Sequence, residues 1–369
     1  MSEWKEYKLG DVCSRLRSGK NLKSNLIFPE GKYPVWGGNG VRGYTNECNF
    51  KGQCCVIGRQ GAYCGNVHYY EGEAYMTEHA IVAVGNEQAD TYYLACALSL
   101  MHLENLSAQS AQPGISVQTL STQTIILPPI DEQKRIAGVL SSLDDKIDLL
   151  NRENATLEAL AETLFRHYFI ENPDPTWKEG KIADLVDFNP NRKLTKNEDS
   201  PYIEMANIET QGYAPSSWRM RPFASGTKFI NGDAIMARIS PCLENGKAAY
   251  IDFLEDGQVG WGSTEFLVMR SKMGLHPFFA YIMTRYDDFR DHAVSSLVGS
   301  SGRQRVDLDN LLKYSIFIPD EKVITRFNRE MEMIVSKMRN NQFQMRTLAF
   351  QRDIILPRLM SGEVKVIGL

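Results

Sequence analysis

What constrains this chain most is that it states one pattern twice. Trp4-Lys5-Glu6-Tyr7-Lys8-Leu9-Gly10-Asp11-Val12 is answered by Trp177-Lys178-Glu179-Gly180-Lys181-Ile182-Ala183-Asp184-Leu185; both open on Trp-Lys-Glu and run through a lysine, an aliphatic residue and an aspartate. Tyr92-Tyr93-Leu94-Ala95 and Phe278-Phe279-Ala280-Tyr281 each open an apolar helical stretch. Ile125-Ile126-Leu127-Pro128-Pro129 matches Ile316-Phe317-Ile318-Pro319-Asp320 as a short strand ended by proline. A repeat of this kind fixes architecture before any local reading does. The chain is expected to fold as two copies of a globular unit, each followed by a long helix.

The helices carry the strongest periodicity. In the first, Ile136, Leu140, Leu143, Ile147, Leu150, Leu157, Ala161, Leu164 and Tyr168 recur in alternating steps of four and three, with Asn154 on the same seam. The second repeats the rhythm through Ile324, Phe327, Met331, Ile334, Met338, Met345, Leu348, Ile355 and Leu359, with Asn341 and Arg352 as polar seam positions. A heptad sustained this long predicts a coiled coil. Two copies related by a pseudo-twofold axis would pair antiparallel and throw the globular units to opposite ends. At about 1.5 Å per residue the rod would be roughly 55–60 Å long. The other arrangement open to the sequence packs each helix on its own unit. The expected class is α+β: two α/β units separated by a long antiparallel coiled coil.

Breakers set the boundaries. Residues 1–130 form the first unit, closed by Pro128-Pro129, and 131–170 the first helix, whose start Asp131 and Glu132 favour through the helix dipole. Asn172-Pro173-Asp174-Pro175 is a linker into the second unit, 171–319, followed by the second helix, 320–360. Pro357 is expected to disrupt the last turns of that helix, and the tail, 361–369, alternates enough around Val364 and Val366 to suggest a strand.

Composition narrows the function classes. With 369 residues and 43% hydrophobic content, two or three packed domains are within reach, and no apolar run approaches the roughly 18–20 residues of a membrane span. The charged, amphipathic start gives no signal peptide, so a soluble cytoplasmic protein is expected. Six of seven cysteines (Cys13, Cys48, Cys54, Cys55, Cys64 and Cys96) fall in the first third without zinc-site spacing, even with His68 and His79 as possible partners. They read as buried reduced thiols, and no metal site is expected. Net charge is −4, which counts against a freestanding nucleic-acid-binding domain. Any such role must rest on local basic patches and on a partner that supplies charge.

At this point the sequence resembles a known family. Leu127-Pro128-Pro129-Ile130-Asp131-Glu132-Gln133-Lys134-Arg135-Ile136 resembles the P-P-x-x-E-Q-x-x-I start of the first conserved helix of type I restriction-modification specificity subunits. Leu164-Phe165-Arg166-His167-Tyr168-Phe169 resembles the end of that helix, and Leu356-Pro357-Arg358-Leu359-Met360-Ser361-Gly362-Glu363-Val364 resembles the terminal L-P-x-L-x-S-G-E signature. Tyr33 to Thr45 and Ile57 to Val67 look like one type of target recognition domain. The second copy, Ile318-Pro319-Asp320-Glu321-Lys322-Val323-Ile324, lacks the full P-P-x-x-E-Q form. That departure puts in doubt equal contacts by the two helix starts.

The resemblance implies two α/β target recognition domains reading a bipartite double-stranded DNA site, with no catalysis by the chain. It implies two methyltransferase subunits as partners, restriction subunits reached through the complex, and a prokaryotic cytoplasm. S-adenosylmethionine, ATP and magnesium would be needed only by those partners. The residues agree with the lack of chemistry. Phe188-Asn189-Pro190-Asn191 is half of a methyltransferase tetrad and looks like a turn, Pro319-Asp320-Glu321-Lys322 is too tight for a nuclease, and no phosphate-binding motor loop occurs. The alternative is a scaffold whose repeats bind protein and read no DNA.

Within that reading, Gly37-Gly38-Asn39-Gly40 and Gly58-Arg59-Gln60-Gly61 permit positive-φ turns that bring backbone close to DNA. Arg59 and Gln60 suit guanine and adenine edges in the major groove. Arg15, Arg17, Lys20 and Lys23 form a basic run that on a loop could hold phosphates. Arg42, within the recognition-domain stretch, and Gln112, on a small polar loop, complete the first unit's candidates. In the second unit Met236-Ala237-Arg238 aligns with Ile57-Gly58-Arg59, and the candidates are Arg192, Lys193, Arg238, Ser301, Arg303, Gln304 and Arg305. Trp218, Arg219 and Arg221 are weaker. Plain solvated hairpins and loops remain the competing reading for each.

Overall fold

The computed structural model describes residues 4–107, 114–171, 173–300 and 302–366. The chain divides into two compact units, Met1–Ile147 with Arg346–Leu369, and Asp148–Met345. Each long helix therefore gives one part to each unit.

The first unit runs β1 (Lys5–Lys8), β2 (Cys13–Ser18), β3 (Tyr33–Gly37), β4 (Gly40–Thr45), β5 (Phe50–Gly58), β6 (Val67–Met76), β7 (Ala80–Gly85), α1 (Thr91–Ser99), α2 (Val117–Ser121), β8 (Thr124–Leu127) and the long helix α3 (Ile130–Phe165). Six strands form one sheet in the order β2-β7-β5-β6-β3-β4. Side chains alternate across β5, and both its faces are covered, so its second half is continuously apolar. Cys55 and Ile57 join a core with Leu9, Val12, Ile81, Tyr93 and Leu94. Cys54 and Val56 join another with Phe50, Ala74 and Met76. Asp90 caps α1 by accepting the Tyr93 N–H at 2.9 Å.

The second unit runs β9 (Lys178–Lys181), α4 (Ile182–Leu185), β10 (Val186–Phe188), β11 (Asp199–Ile203), β12 (Arg219–Pro222), β13 (Thr227–Phe229), β14 (Asp233–Ala237), β15 (Ala248–Tyr250), β16 (Gly260–Gly262), β17 (Phe266–Ser271), α5 (Phe278–Arg285), α6 (Asp287–Ser295), β18 (Leu297–Val298), β19 (Arg305–Val306), α7 (Leu308–Leu311), β20 (Ser315–Ile318) and α8 (Glu321–Met360). Its connectivity repeats the first. β1 pairs with β8 through Lys5–Leu127 to Lys8–Thr124, and β9 pairs with β20 through Lys178–Ile318 to Lys181–Ser315. The order β2-β7-β5-β6 is matched by β10-β17-β14-β15. One long strand, β6, pairs with β5 along its length and with β3 in parallel at Tyr75 and Met76. In the second unit those two jobs fall to separate strands, β15 and β16, and the sheet becomes two.

The long helices pair within each unit, and the direction can be read from the numbers. In the first unit Arg352 Nη1 donates to Asp144 at 2.8 Å, with Ile136, Leu140 and Leu359 buried beyond it. In the second, Asn341 Nδ2 donates to Asn154 Oδ1 at 2.9 Å and Tyr168 OH to Glu330 at 3.1 Å. Partners on α8 fall in number as partners on α3 rise, so the pairing is antiparallel. Leu150, Phe327, Met331, Ile334, Met338 and Met345 are buried, whereas Leu143, Ile147, Leu157, Leu164, Leu348 and Ile355 are half-buried. The polar seam positions are thus paired to one another or to a facing carboxylate.

Several local expectations need correction. Arg15 and Arg17 lie on strand β2, not on a loop, and Arg15 is placed over the Phe50 ring. Helix α8 continues through Pro357 to Met360. The carbonyl deprived of its N–H partner there belongs to exposed Asp353, where water can serve it. Residues 361–366 form turn and bend, not strand, with Val366 packed on the first core. Phe165 and Phe169, both fully buried, seat the end of α3 in the second core, because a π-helical turn over Arg166–Glu171 rotates the apolar face. Cys48 is exposed, while Cys54, Cys55 and Cys64 are buried. Among the described residues no helix is long and apolar enough to cross a membrane, and no His, Cys, Asp or Glu cluster could hold a metal.

Gln133, from the proline-rich motif, is fully buried. It accepts the Asp90 N–H at 3.0 Å and donates to the carbonyls of Gln88 and Pro128, both at 2.8 Å. The second copy has no glutamine at that place. One helical turn further on, Asn328 accepts the His276 N–H and donates to the Gly274 carbonyl, both at 2.8 Å. By the alignment of Tyr92 with Phe278, these are the same two backbone positions.

Candidate nucleic-acid interface

The candidate residues of the first unit gather at one end of its sheet. Strand β5 stops at Gly58, where the chain turns back: Gly58 donates to Asn66 O at 2.8 Å and Gly65 to Gly58 O at 2.9 Å. A Cβ on Gly58 would sit 2.4 Å from Gly38 O and 2.3 Å from Tyr63 O. The two glycine-rich loops are therefore in backbone contact. Only Gly40 and Gly61 of these glycines have positive φ, at 103° and 81°. Gly37, Gly38 and Gly58 serve close approach instead, which corrects the expectation that all the glycines serve positive-φ turns.

Arg59 is held by its backbone and free at its side chain. Its N–H donates to His79 O and its carbonyl accepts the Ile115 N–H, both at 2.9 Å. Its guanidinium has no partner among the described residues. Gln60 is exposed and bridges to Gly114 through backbone. Arg42 is exposed and lies across Gly37, where a Cβ would come 2.5 Å from Arg42 Cδ. On the other side of β7, Gly19 donates to Ala80 O and Lys20 to Met76 O. Exposed Arg17 and Lys20 are thus brought to the same end of the sheet. Gln112 lies outside the described residues.

The second unit reproduces the frame. Arg238, directly after β14, donates its N–H to Glu265 O and accepts the Val306 N–H, both at 2.9 Å. Glu265 precedes β17 as His79 precedes β7. Ile239 bridges to Arg305 where Gln60 bridges to Gly114. The side chains differ. Arg238 Nη2 reaches Val306 O at 3.4 Å, while Arg305 Nε bonds both Glu265 carboxylate oxygens, at 2.9 and 3.0 Å. The Arg305 guanidinium holds the Glu265 carboxyl below its usual range, helped by Arg238 and Arg303. Arg303 is exposed, and its side chain makes no hydrogen bond or close ion pair among the described residues. Gln304 is half-buried and receives the Ser240 N–H at its carbonyl. Ser301 lies outside the described residues.

The frame does not gather every candidate. Arg192 is turned to Asp233, 3.2 Å away and fully buried, which also takes Arg270 at 2.6 Å. Asp233 opens β14 and Ala237 closes it, so the Arg192 guanidinium is bound at the strand end away from Arg238. The same pairing commits it to the fold. Lys193 beside it is exposed. Trp218 stacks on Phe253 with centroids 3.9 Å apart, Arg219 pairs with Glu204, and Arg221 lies over Tyr202 and Trp261. Sequence reasoning missed Glu265, because a lone glutamate before a strand carries no signal of its own.

Comparison with known proteins gives a domain match and a likeness of fold. Residues 1–159 match the family described as Type I restriction modification DNA specificity domain. The EcoprrI specificity subunit of Escherichia coli is 36% identical over 146 residues, 38% of this chain and 36% of that subunit's length, so the chain spans just over a third of that relative. The HindI specificity subunit of Haemophilus influenzae is 20% identical, with 99% of this chain and all of that subunit covered. The crystal structure of the type I restriction-modification system S subunit from M. genitalium covers 97% of this chain and 96% of its own, at TM-score 0.58 and 17% identity, a likeness of fold. The family match lies on the first unit, and the second repeats that unit's strand order and arginine frame. Residues 1–159 thus resemble the type I restriction modification DNA specificity domain, and the chain has the fold of a solved type I S subunit.

Proposed function

We propose that the chain is the DNA-reading, non-catalytic subunit of a type I restriction-modification complex, each unit reading one half of a bipartite site. The observation that carries this is the duplicated arginine. Arg59 and Arg238 follow equivalent strands and are fixed by the same two backbone bonds in both units. A rigid backbone beneath a long cationic side chain is what base-edge readout requires. In the first unit Arg17, Lys20, Arg42 and Gln60 surround Arg59; in the second Arg303, Gln304 and Arg305 accompany Arg238, and Lys193 belongs to the proposal by its place in the sequence. Gln112 and Ser301 belong to the same proposal by their place in the sequence. Residues 1–130 and 171–319 act as the target recognition domains and the seam of α3 and α8 as the spacer between half-sites.

Double-stranded DNA is the ligand. Methyltransferase subunits, two per chain by the repeat, dock on the helical region, and restriction subunits join through them. S-adenosylmethionine, ATP and magnesium act in those partners. Their basic surfaces offset the acidic balance of this chain. The test is to change Arg59, Arg238 and Arg303 to alanine and to sequence the methylated motif in a host carrying each variant. Each change is expected to relax one half-site by about 1–3 kcal/mol of discrimination and to leave the other intact. Full retention of both half-sites in the triple variant overturns the reading in favour of a protein-binding scaffold.

A further inference from the structure

Glu265 is a carboxylate bonded among the second unit's reader arginines. Its carbonyl anchors Arg238 and its side chain takes Arg305 through Nε, so one residue adds a side-chain tie between two loops that already bridge through backbone at Ile239 and Arg305. The ion pair is half-exposed, with side-chain exposures of 48% for Arg305 and 21% for Glu265, a setting in which such pairs add little to folding. Its effect on DNA is larger. A bare group of Arg238, Arg303 and Arg305 would attract any phosphate, whatever the sequence. A carboxylate bonded to one of them cancels a charge and fixes a guanidinium plane.

We infer that Glu265 is a specificity-determining positioning residue of the second unit: it clamps Arg305, suppresses sequence-independent phosphate binding, and leaves Arg303 and Arg238 to discriminate. Among the described residues the first unit shows no such device. His79 occupies the equivalent place, its ring faces Glu78 at 3.3 Å rather than an arginine, and the Arg59 guanidinium is unclamped. The inference rests on the DNA reading above, and the two units serve as controls for one another.

The experiment selects duplexes from a random-sequence library with the full chain, isolated from its host with the subunits it holds. Dissociation constants are then measured for the selected site and for sites with either half scrambled. Glu265→Gln is expected to lower the preference for the intact second half-site about tenfold, within the range of one good base contact. Tighter binding of the scrambled site should cause most of that loss, with a log affinity–log salt slope steeper by about one. The first half-site is expected to be unaffected, and Glu265→Asp to restore the preference to within about threefold. An unchanged preference in a Glu265→Gln variant that melts like the wild type overturns the inference, as does equal loss at both half-sites. If Glu265→Gln fails to fold, Arg305→Gln removes the clamped cation itself and is expected to bind the scrambled site no more tightly than the wild type, with no steeper salt slope; tighter binding of the scrambled site by Arg305→Gln overturns the inference. Wild-type protein that selects no motif overturns the DNA reading itself.

Discussion

At the scale of single residues, the most telling group is an amide and not a cation. Gln133 satisfies a helix-start N–H and two carbonyls from a position without solvent, and Asn328 serves the same two backbone positions in the other unit from one turn further along. Removing Gln133 leaves the buried Pro128 carbonyl and the part-buried Asp90 N–H unmet. Removing Asn328 leaves the part-buried His276 N–H unmet, while water can serve the exposed Gly274 carbonyl. An unmet buried group costs about 1–3 kcal/mol. Gln133→Ala and Asn328→Ala are therefore each expected to destabilise by roughly that amount, read as a lower urea midpoint with unchanged slope. Loss confined to Gln133→Ala would break the equivalence. The sequence shows Gln133 as part of a motif but gives no trace of Asn328, because a function shifted by one turn escapes residue-by-residue alignment. Arg59 and Arg238 are legible because the repeat places both after a strand. The Arg305–Glu265 pair is not, since its partners lie 40 residues apart in one dimension.

At the scale of elements, periodicity reveals the seam and its polar interruptions but not what those interruptions do. Asn154 and Asn341 are both buried, and they bond to one another, with Asn154 also donating to Met338 O at 3.3 Å and Asn341 to Glu153 at 2.9 Å. A buried asparagine pair costs stability relative to apolar packing and fixes register. Asn154→Leu alone should destabilise the second unit by about 1–3 kcal/mol, because Asn341 loses a buried partner. The double change Asn154→Leu with Asn341→Leu should recover that loss, giving a coupling of about 1 kcal/mol or more in a urea double-mutant cycle. Additive effects would mean the pair does not act as a unit. The sheets were less legible than the helices. The single strand β6 is split into β15 and β16 in the second copy, and short strands interrupted by turns leave no period to follow.

At the scale of the whole molecule, the proposed function turns the helical pair into a measure of half-site spacing. A rod of roughly 55–60 Å covers at most about 16–18 base pairs at 3.4 Å each. On the proposed reading, half-site centres should fall nearer one DNA turn apart. The seam offers a direct handle on that measure. Leu150 and Met345 are buried at matching heptad positions, and four residues added after Ile147 and after Met345 would lengthen both helices together. Four residues add about 6 Å and keep the four-three rhythm as a local stutter. About 6 Å is close to two base-pair steps, and the added turn of about 40° has the same hand as the DNA twist across them. The expected outcome is a methylated motif whose spacer grows by one or two base pairs while both half-sites keep their sequence. An altered half-site with an unchanged spacer would show that recognition and spacing are not divided between units and helices, and the helical pair would then be scaffold without being ruler.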